Sequence, residues 1–208
     1  MSKIRIVVDS AVDFPAPTIS KRYHITVVPY TIRFGEEVLR DGQDIDAEQM
    51  LQRLGANPVY PLIEAPTVEQ YTDAFLKLSQ RTDQVLVLTT TKTLGQSFEN
   101  AKIAATALHG RCNILVLDSK TTSVGLGMLA EIAAEAAEKS ESIENVVRIA
   151  RGAIDRVYAI FYVDTLDFIQ HSGLLGEAQA VLGTMLGIKP FLTIEDGNLV
   201  TMEKVRTR

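Results

Sequence analysis

Four short runs of β-branched and leucine residues constrain the fold of this chain more than any other feature. They are Ile4 to Val8, Ile25 to Tyr30, Val85 to Thr89 and Ile114 to Leu117. Continuous apolar runs of this length are typical of strands that are buried on both faces of a largely parallel sheet. Segments of helical periodicity lie between them, so the pattern predicts an α/β domain.

The helical segments have recognisable starts. Thr67 to Gln70 has the spacing of a capping box, and apolar residues follow it at helical intervals. Asp46 to Gln49 similarly starts a short helix that Gly55 ends. Longer amphipathic helices are predicted over residues 122–139 and 143–154, which are rich in helix-forming residues.

The pattern changes in the last quarter of the chain. Val157 to Val163 is predicted to form a buried strand, residues 166–170 a short helix, and residues 177–186 carry apolar side chains at helical spacing. We therefore predict two domains. Residues 1–155 form a Rossmann-like, mainly parallel, three-layer α/β domain, and residues 156–208 belong to a smaller second α/β domain.

A hairpin is predicted near the end of the second domain. Phe191 to Ile194 and Leu199 to Met202 are the strands, and Asp196-Gly197 supplies the positive φ that a tight turn needs. Three strands and two helices make a thin core for a domain. We expect that this unit packs closely on the first domain or that more chain once followed it.

Charge and hydropathy exclude several classes of partner. The chain of 208 residues has a net charge of −5 and no basic tract, which argues against nucleic acid and anionic membrane surfaces. No apolar stretch approaches the roughly 20 residues that a membrane span requires, and the N-terminus lacks a signal-like apolar region. The cytoplasm is the expected compartment.

No metal or thiol chemistry is indicated. Cys112 is the only cysteine and lies beside an apolar run, which favours a buried thiol over a reactive one. His24, His109 and His171 are widely separated and lack the spacing of metal ligands. No metal and no cofactor are predicted.

Polar residues follow several of the predicted strands. They are Asp9-Ser10 and residues 89–92, 118–123 and 164–165. Ligands of doubly wound sheets bind beyond the carboxyl ends of the strands, so these residues predict a hydroxyl-rich crevice. Each of them is also a common helix N-cap, and that structural interpretation stays open.

Phosphate-binding and hydrolase motifs are weak or absent. Gly125-Leu126-Gly127 lacks the third glycine of the dinucleotide fingerprint, and no G-x-S-x-G elbow is present. Residues 93–97 could present backbone amides to an anion at the start of a helix, and a carboxylate would suit that position as well as a phosphate.

An ordered set of segments across essentially the whole chain resembles the DegV family. No single segment is decisive, whereas their order and spacing together are specific. The matching segments are Ile6 to Asp13, Val28-Pro29-Tyr30, Arg40-Asp41-Gly42, Val116 to Lys120, Phe161 to Leu166, Leu186 to Pro190 and Glu203 to Arg208.

The resemblance implies a two-domain α/β protein that buries a long-chain fatty acid between its domains and catalyses no reaction itself. In the family the acid is presented to a separate kinase, which phosphorylates the carboxylate. A mostly apolar pocket with a few polar groups at its mouth suits such a ligand, because each buried methylene contributes about 0.8 kcal/mol.

The resemblance also implies which residues meet the ligand. The head group is assigned to Asp9, Ser10, Ile63, Gly95, Gln96, Ser97 and Ser119. The acyl chain is assigned to Phe161, Val163, Leu166, Ile169, Leu182, Met185, Leu186, Ile188 and Phe191. The edge that faces the kinase is assigned to Lys204, Arg206 and Arg208.

This chain departs from the family at the head-group loops. Ile63 stands where the family has a carboxylate-binding hydroxyl, and Gly95 stands in place of a binding serine. Glu64, if ionised and close, would repel a carboxylate. The family's basic turn is replaced by residues 170–174, which carry no permanent charge, and family members usually continue well beyond the final Arg-Thr-Arg.

Two other functions remain open at this point. One is an enzyme that acts on a small phosphorylated or hydroxylated substrate at the Asp9-Ser10 and Asp118-Ser119 strand ends. The other is a regulatory module that has lost carboxylate recognition, an alternative suggested by Ile63, Glu64 and Gly95.

Overall fold

The computed structural model describes residues 3–56, 60–139, 142–163, 169, 172 and 191–202. Helices and strands are interspersed in the first 154 residues, and three strands follow. In chain order they are β1 (Arg5–Asp9), α1 (Ile19–Arg22), β2 (Thr26–Val28), β3 (Thr31–Phe34), β4 (Glu37–Arg40), α2 (Ala47–Ala56), β5 (Leu62–Glu64), α3 (Val68–Ser79), β6 (Gln84–Thr89), α4 (Ser97–Thr106), β7 (Asn113–Asp118), α5 (Ser123–Lys139), α6 (Ile143–Ile154), β8 (Ile160–Tyr162), β9 (Phe191–Glu195) and β10 (Asn198–Thr201).

A four-stranded parallel sheet forms the centre of the fold. Its strand order is β2-β1-β6-β7, and all three pairings are parallel. The four predicted strands and the parallel sheet are confirmed. The second strand is shorter than predicted and ends at Val28, because Pro29 has no N–H to donate to a ladder.

Helices cover both faces of this sheet, which confirms the predicted three-layer α/β fold. Val7 and Val87 pack with Tyr71 and Phe75 on the face covered by α3 and α4. Alternate residues of the same strands point to the other face and pack against α1, α5 and α6. The core therefore lies on both sides of strands that are themselves buried.

The predicted capping boxes are present. The Thr67 hydroxyl accepts from the Gln70 amide at 3.2 Å, and the Gln70 side chain accepts from the Thr67 amide at 2.7 Å. Asp46 and Gln49 make the same reciprocal pair at 2.8 and 3.0 Å. These bonds satisfy amides that the first helical turn leaves unpaired.

A small antiparallel sheet, with strand order β4-β3-β5, was not predicted from the sequence. Its strands have three or four residues, and most of their side chains are partly or fully exposed. Strands this short and this exposed give too few apolar positions for a periodic pattern to be recognised. The sheet lies beside the end of β2 and carries Ile63 on its edge strand β5.

The last three strands form a second antiparallel sheet in the order β10-β9-β8. The predicted hairpin is confirmed, with φ of 49° at Asp196 and 86° at Gly197. The prediction of a buried strand over 157–163 is wrong. Only Ile160–Tyr162 is strand, and Ile160 and Tyr162 are 53% and 51% exposed, because among the described residues β8 pairs on one side only, with β9.

The boundary predicted near residue 155 stays a prediction. Within the part of the chain that the structure describes, no helix combines the length and the apolar character needed to cross a bilayer.

Candidate functional site

The carboxyl ends of three neighbouring strands meet at one edge of the parallel sheet. Asp9 ends β1, Thr89 ends β6 and Asp118 ends β7. Thr89 is paired with Asp118, and Val8 is paired with Leu88, so the three terminal residues lie side by side. This is the edge at which the sequence predicted a polar crevice.

Asp9 is the most deeply buried charged group at this edge. Its Oδ2 accepts hydrogen bonds from the Ser97 hydroxyl at 2.5 Å and from the Thr90 amide at 2.8 Å. Burial raises the pKa of Asp9 to about 6, and the Ser97 hydroxyl and the nearby amides of Thr90 and Ala11 act in the opposite direction. Near neutral pH the carboxyl is therefore close to its titration point.

The other oxygen of Asp9 supports the same conclusion. Among the described residues, Asp9 Oδ1 and the neighbouring Thr89 Oγ1 have no hydrogen-bond partner, although both are buried. A neutral carboxyl carries a donor hydrogen of its own, so this environment favours the protonated form.

Ser97 belongs to an enclosed network. Its side chain is fully buried at the start of α4, and its hydroxyl lies 2.7 Å from the hydroxyl of Tyr71 on α3. Because the single Ser97 proton is directed at Asp9, Tyr71 is the donor to Ser97. The structure thus places Ser97, predicted as a head-group ligand, in a core network with Asp9.

Ser10 is also engaged within the protein. Its hydroxyl donates to Asp41 Oδ2 at 2.6 Å and accepts from the Tyr30 amide at 2.9 Å. The Asp41 amide in turn donates to the Tyr30 carbonyl at 3.0 Å. Three segments of the family resemblance, those containing Ser10, Tyr30 and Asp41, therefore meet at one point.

Ser119 has a local structural role. It is buried, its hydroxyl donates to the Thr121 carbonyl at 3.0 Å, and it accepts from the Thr121 amide at 3.2 Å. Such a turn satisfies the backbone between β7 and α5. Ser119 therefore fits the structural interpretation of the polar strand ends, because its hydroxyl serves a turn.

Gly95 and Gln96 lie at the accessible rim of the network. Gly95 follows a short 3-10 turn over Lys92–Leu94, and Gln96 is exposed at the start of α4 without a side-chain cap. The Gly95 backbone is extended, with φ of 161°, so other residues could adopt it. A Cβ added to Gly95 would lie 3.8 Å from the Tyr30 hydroxyl and 4.0 Å from the Ala65 Cβ.

Ile63 and Glu64 lie on β5, close in sequence to Ala65. Ile63 is 54% exposed and stands opposite Ile32 in the small sheet. Glu64 Oε2 accepts from Arg33 Nε at 2.6 Å. The ion pair offsets the charge of Glu64, which weakens the repulsion that the sequence predicted between Glu64 and a carboxylate.

The residues predicted to line an acyl chain are only partly within the described residues. Leu166, Leu182, Met185, Leu186 and Ile188 lie outside them, as do Lys204, Arg206 and Arg208, predicted to face a partner. Phe161, Val163, Ile169 and Phe191 are described and are partly buried.

Phe161 and Phe191 lie on opposite faces of the second sheet. Phe161 stands opposite Leu192 and Tyr162 opposite Phe191, and directly paired residues point to the same face. A single acyl chain on one face of this sheet therefore meets only one of the two phenylalanines there, and the predicted lining stays a prediction. Successive side chains of a strand point to opposite faces, and this alternation separates Phe161 from Phe191.

The hairpin of the second sheet contacts the edge that carries the network. The Gly197 carbonyl accepts hydrogen bonds from the hydroxyls of Thr91, at 2.9 Å, and Thr93. Both threonines precede Gly95 in the loop after β6. The second sheet is thereby held next to the rim formed by Gly95 and Tyr30.

Cys112 is buried, as predicted, and donates a weak hydrogen bond to the Thr82 carbonyl at 3.7 Å. Burial raises the pKa of this thiol. A surface pocket of about 480 Å³ lies beside it at the amino ends of β6 and β7, the opposite end of the sheet from Asp9. Within the described residues no cluster of three or more His, Cys, Asp or Glu is placed to hold a metal.

Sequence reasoning missed the role of Tyr30, Tyr71, Thr90 and Asp41 in this network. Tyr30 and Asp41 were noted only as parts of family segments, and Tyr71 only as an apolar helix position. A buried serine–tyrosine pair between two helices has no local sequence pattern. The polar residues after each strand were the one available signal.

Comparison with protein families matches residues 3–208 to the family described as "Uncharacterised protein, DegV family". A DegV domain-containing protein of Caldanaerobacter subterraneus subsp. tengcongensis is 34% identical over 206 residues, which cover 99% of this chain and 72% of the relative. A similar protein of Streptomyces coelicolor is 32% identical, over 98% of this chain and 72% of the relative.

Two solved structures share the fold. A DegV family protein of Thermus thermophilus, described by its fatty acid binding, has a TM-score of 0.89 at 29% identity and covers 100% of this chain and 72% of its own. A stearic-acid-binding protein of Eubacterium ventriosum has a TM-score of 0.85 at 30% identity, with the same coverage. These descriptions name binding and no reaction. The chain described here, with its parallel sheet and its two antiparallel sheets, belongs to the DegV family.

Proposed function

We propose that this protein binds one long-chain fatty acid, with the carboxylate at the rim formed by Gly95 and Tyr30 and the acyl chain against the second sheet. The observation that carries the proposal is the contact between the Gly197 carbonyl and the hydroxyls of Thr91 and Thr93. It brings an apolar sheet next to a polar rim, which is the combination an amphipathic ligand needs.

The acyl chain is assigned to one face of the second sheet. Phe161, Leu192, Ile194 and Leu199 share that face by strand register, and all four are apolar. The opposite face is mixed, because Thr193, Glu195, Asn198 and the exposed Tyr162 lie there beside the apolar Ile160, Phe191 and Val200. Each methylene buried on the apolar face contributes about 0.8 kcal/mol, so a long chain binds far more tightly than a short one.

The head group is assigned to the start of α4. The amides of Gly95 and Gln96 lie just before the first turn of this ten-residue helix, where partial positive charge favours an anion. Ile63, which the family resemblance assigns to the head group, has an exposed apolar side chain that offers no hydrogen bond.

The test is to extract the purified full-length chain with organic solvent and to identify lipids by mass spectrometry. Delipidated protein is then titrated with radiolabelled palmitate in an equilibrium partition assay. We expect a co-purifying fatty acid and saturable binding at one site per chain. The absence of both results would refute the proposal.

Presentation of the bound acid to a separate kinase is a finer proposal. It is supported by the family resemblance and by the basic side chains of Lys204, Arg206 and Arg208, which lie outside the described residues. Reversing the charge of these three residues would leave palmitate affinity unchanged and weaken capture by the kinase. Loss of palmitate binding in that variant would contradict this assignment.

The alternative of an enzyme at the strand ends is disfavoured by access for two of its four residues. Asp9 and Ser119 are fully buried and bonded within the protein, whereas Ser10 and Asp118 are partly exposed, and a catalytic group must reach its substrate. The alternative of a regulatory module without carboxylate recognition predicts that the paired substitutions Ile63→Thr and Gly95→Ser increase palmitate affinity.

A further inference from the structure

We propose that the Tyr30 hydroxyl is the side-chain donor that recognises the ligand's carboxylate, in the space left open by Gly95. This inference rests on the proposed binding of a fatty acid and names the group that distinguishes the acid from other long-chain molecules.

The other hydroxyls near the rim are already committed. Ser97 and Tyr71 are fully buried and bonded to one another, and Ser97 also bonds Asp9. Thr91 and Thr93 both donate to the Gly197 carbonyl. A hydroxyl engaged in this way must break an internal bond before it can donate to a ligand, which costs free energy.

Tyr30 differs from these groups mainly in position, because its hydroxyl also interacts with the Ser97 hydroxyl but lies beside Gly95 at the rim. Its side chain is only partly buried, and its hydroxyl ends beside Gly95, 3.8 Å from where a Cβ of residue 95 would lie. The Ala65 Cβ lies 4.0 Å from the same Cβ position. A glycine at 95 therefore leaves the tyrosine hydroxyl facing a gap between two loops.

The backbone of Tyr30 is held from both sides. Its amide donates to the Ser10 hydroxyl at 2.9 Å, and its carbonyl accepts from the Asp41 amide at 3.0 Å. Ser10 and Asp41 are bonded to each other at 2.6 Å, so the three residues form a closed set. A donor fixed before the ligand arrives loses less conformational freedom on binding.

The electrostatic surroundings keep Tyr30 protonated. Burial raises the pKa of Tyr30 well above its ordinary value, the Asp9 and Asp41 carboxylates raise it further, and the Ser97 hydroxyl opposes them. The hydroxyl is consequently a donor throughout the physiological pH range. A neutral donor suits a carboxylate in a site that also contains Asp9.

The decisive variant is Tyr30→Phe, which removes one oxygen and keeps the ring. Partition assays with radiolabelled palmitate and hexadecane compare a ligand that has a carboxylate with one that has none. We expect palmitate affinity to fall about 10- to 100-fold, the range for a hydrogen bond to a charged group. Hexadecane affinity stays unchanged, which also shows that the variant is folded.

A second variant tests the geometry. Because the Gly95 backbone is extended and its Cβ direction points at the Tyr30 hydroxyl, Gly95→Ser in the Tyr30→Phe background places a new hydroxyl in the vacated space. We expect it to restore most of the palmitate affinity. Ala65→Ser on the opposite loop, in the same background, is the matched control and restores less.

The possible outcomes separate the two proposals. Equal palmitate affinity in wild type and Tyr30→Phe overturns this inference alone, and so does an equal loss for palmitate and hexadecane. Binding of neither ligand by the wild type overturns the proposed function and this inference with it.

Discussion

Asp9 and Asp118 end two strands that flank the same neighbour, β6, yet they have different environments. Asp9 is sealed between the sheet and α4, and its carboxylate accepts from the Ser97 hydroxyl and the Thr90 amide. Asp118 is partly exposed, and its Oδ1 accepts from the Lys120 amide at 2.9 Å. The same residue type at equivalent positions thus serves a buried network in one case and a surface turn in the other.

The difference shows how one edge of a sheet can combine rigidity with access. The β1 end is fixed by groups from two helices and gives the rim its shape. The β7 end is held by a turn in which Asp118 is partly exposed, and by bonds from Thr90 and Thr91 to the Thr121 carbonyl. Charge at the β1 end is costly, because burial in a low dielectric disfavours the ionised form.

The largest expected effect separates the two aspartates directly. Asp9→Ala leaves the Ser97 hydroxyl and the Thr90 amide without their acceptor, and at pH 5 we expect it to lower the free energy of unfolding by about 3 kcal/mol. Asp118→Ala is expected to change it by less than about 1 kcal/mol. Urea denaturation of both variants measures this, and equal losses would abolish the distinction.

The second prediction concerns pH. The folded-state pKa of Asp9 is raised from 3.8 to about 6, so its contribution to stability is fully present below 3.8 and is lost as the pH rises through 6. The total loss is about 3 kcal/mol, from 1.36 kcal/mol per unit of pKa. Asp9→Asn does not titrate, so the difference in unfolding free energy between it and wild type should change by most of this amount from pH 4 to 8. A constant difference would show that Asp9 is not buried in this way.

The third prediction compares how closely α5 packs against the loops that follow β1 and β7. A Cβ on Gly127 would lie 2.1 Å from the Asp13 carbonyl oxygen in the loop after β1, whereas a Cβ on Gly125 would meet the Thr121 side chain in the loop after β7. Backbone cannot move aside as a side chain can. We expect Gly127→Ala to cost about 2 kcal/mol and Gly125→Ala about 1 kcal/mol or less, measured by thermal unfolding.

Gly152→Ala in α6 is the control for this pair. Nothing lies within 4 Å of a Cβ at Gly152, so alanine should stabilise the helix by about 0.5–1 kcal/mol. An equal cost at Gly125 and Gly127 would mean that both loops are braced alike.

The smallest expected effect concerns the loop after β6, the strand that lies between β1 and β7. Thr91→Val removes one hydrogen bond to the Gly197 carbonyl, and we expect local protection of the β9–β10 hairpin to fall by about 1 kcal/mol in hydrogen exchange. Thr106→Val removes a bond to the Ile103 carbonyl within α4 and serves as the control. Unchanged hairpin protection in Thr91→Val would show that the Thr93 bond alone holds the contact.

The sequence predicted the parallel sheet because its strands are long and apolar on both faces. Residues 5–9 and 84–89 are examples, since almost all of their side chains are buried. The strands β3 and β5 escaped prediction because Arg33, Leu62 and Ile63 are exposed and give no periodicity. A periodic sequence pattern arises where alternate side chains are buried, and few side chains of these strands are buried.

The sequence predicted which edge of the sheet carries the site but not which side chains contact one another there. Asp9 and the polar residues after each strand were recognised as a candidate crevice. That Ser97 meets Tyr71, or that the Tyr30 hydroxyl ends beside Gly95, depends on how helices and loops pack after folding. Such long-range pairing has no counterpart in local propensity.

The bonds between Gly197 and the two threonines also have a kinetic consequence. They join residues 106 and 104 positions apart, whereas β1 and β2 pair across fewer than 20 residues. Contacts of high sequence separation form late, because a long loop must close first. During synthesis β1, β2 and β6 are therefore complete before the hairpin exists, and the second sheet docks onto an edge whose hydroxyl donors are already in place.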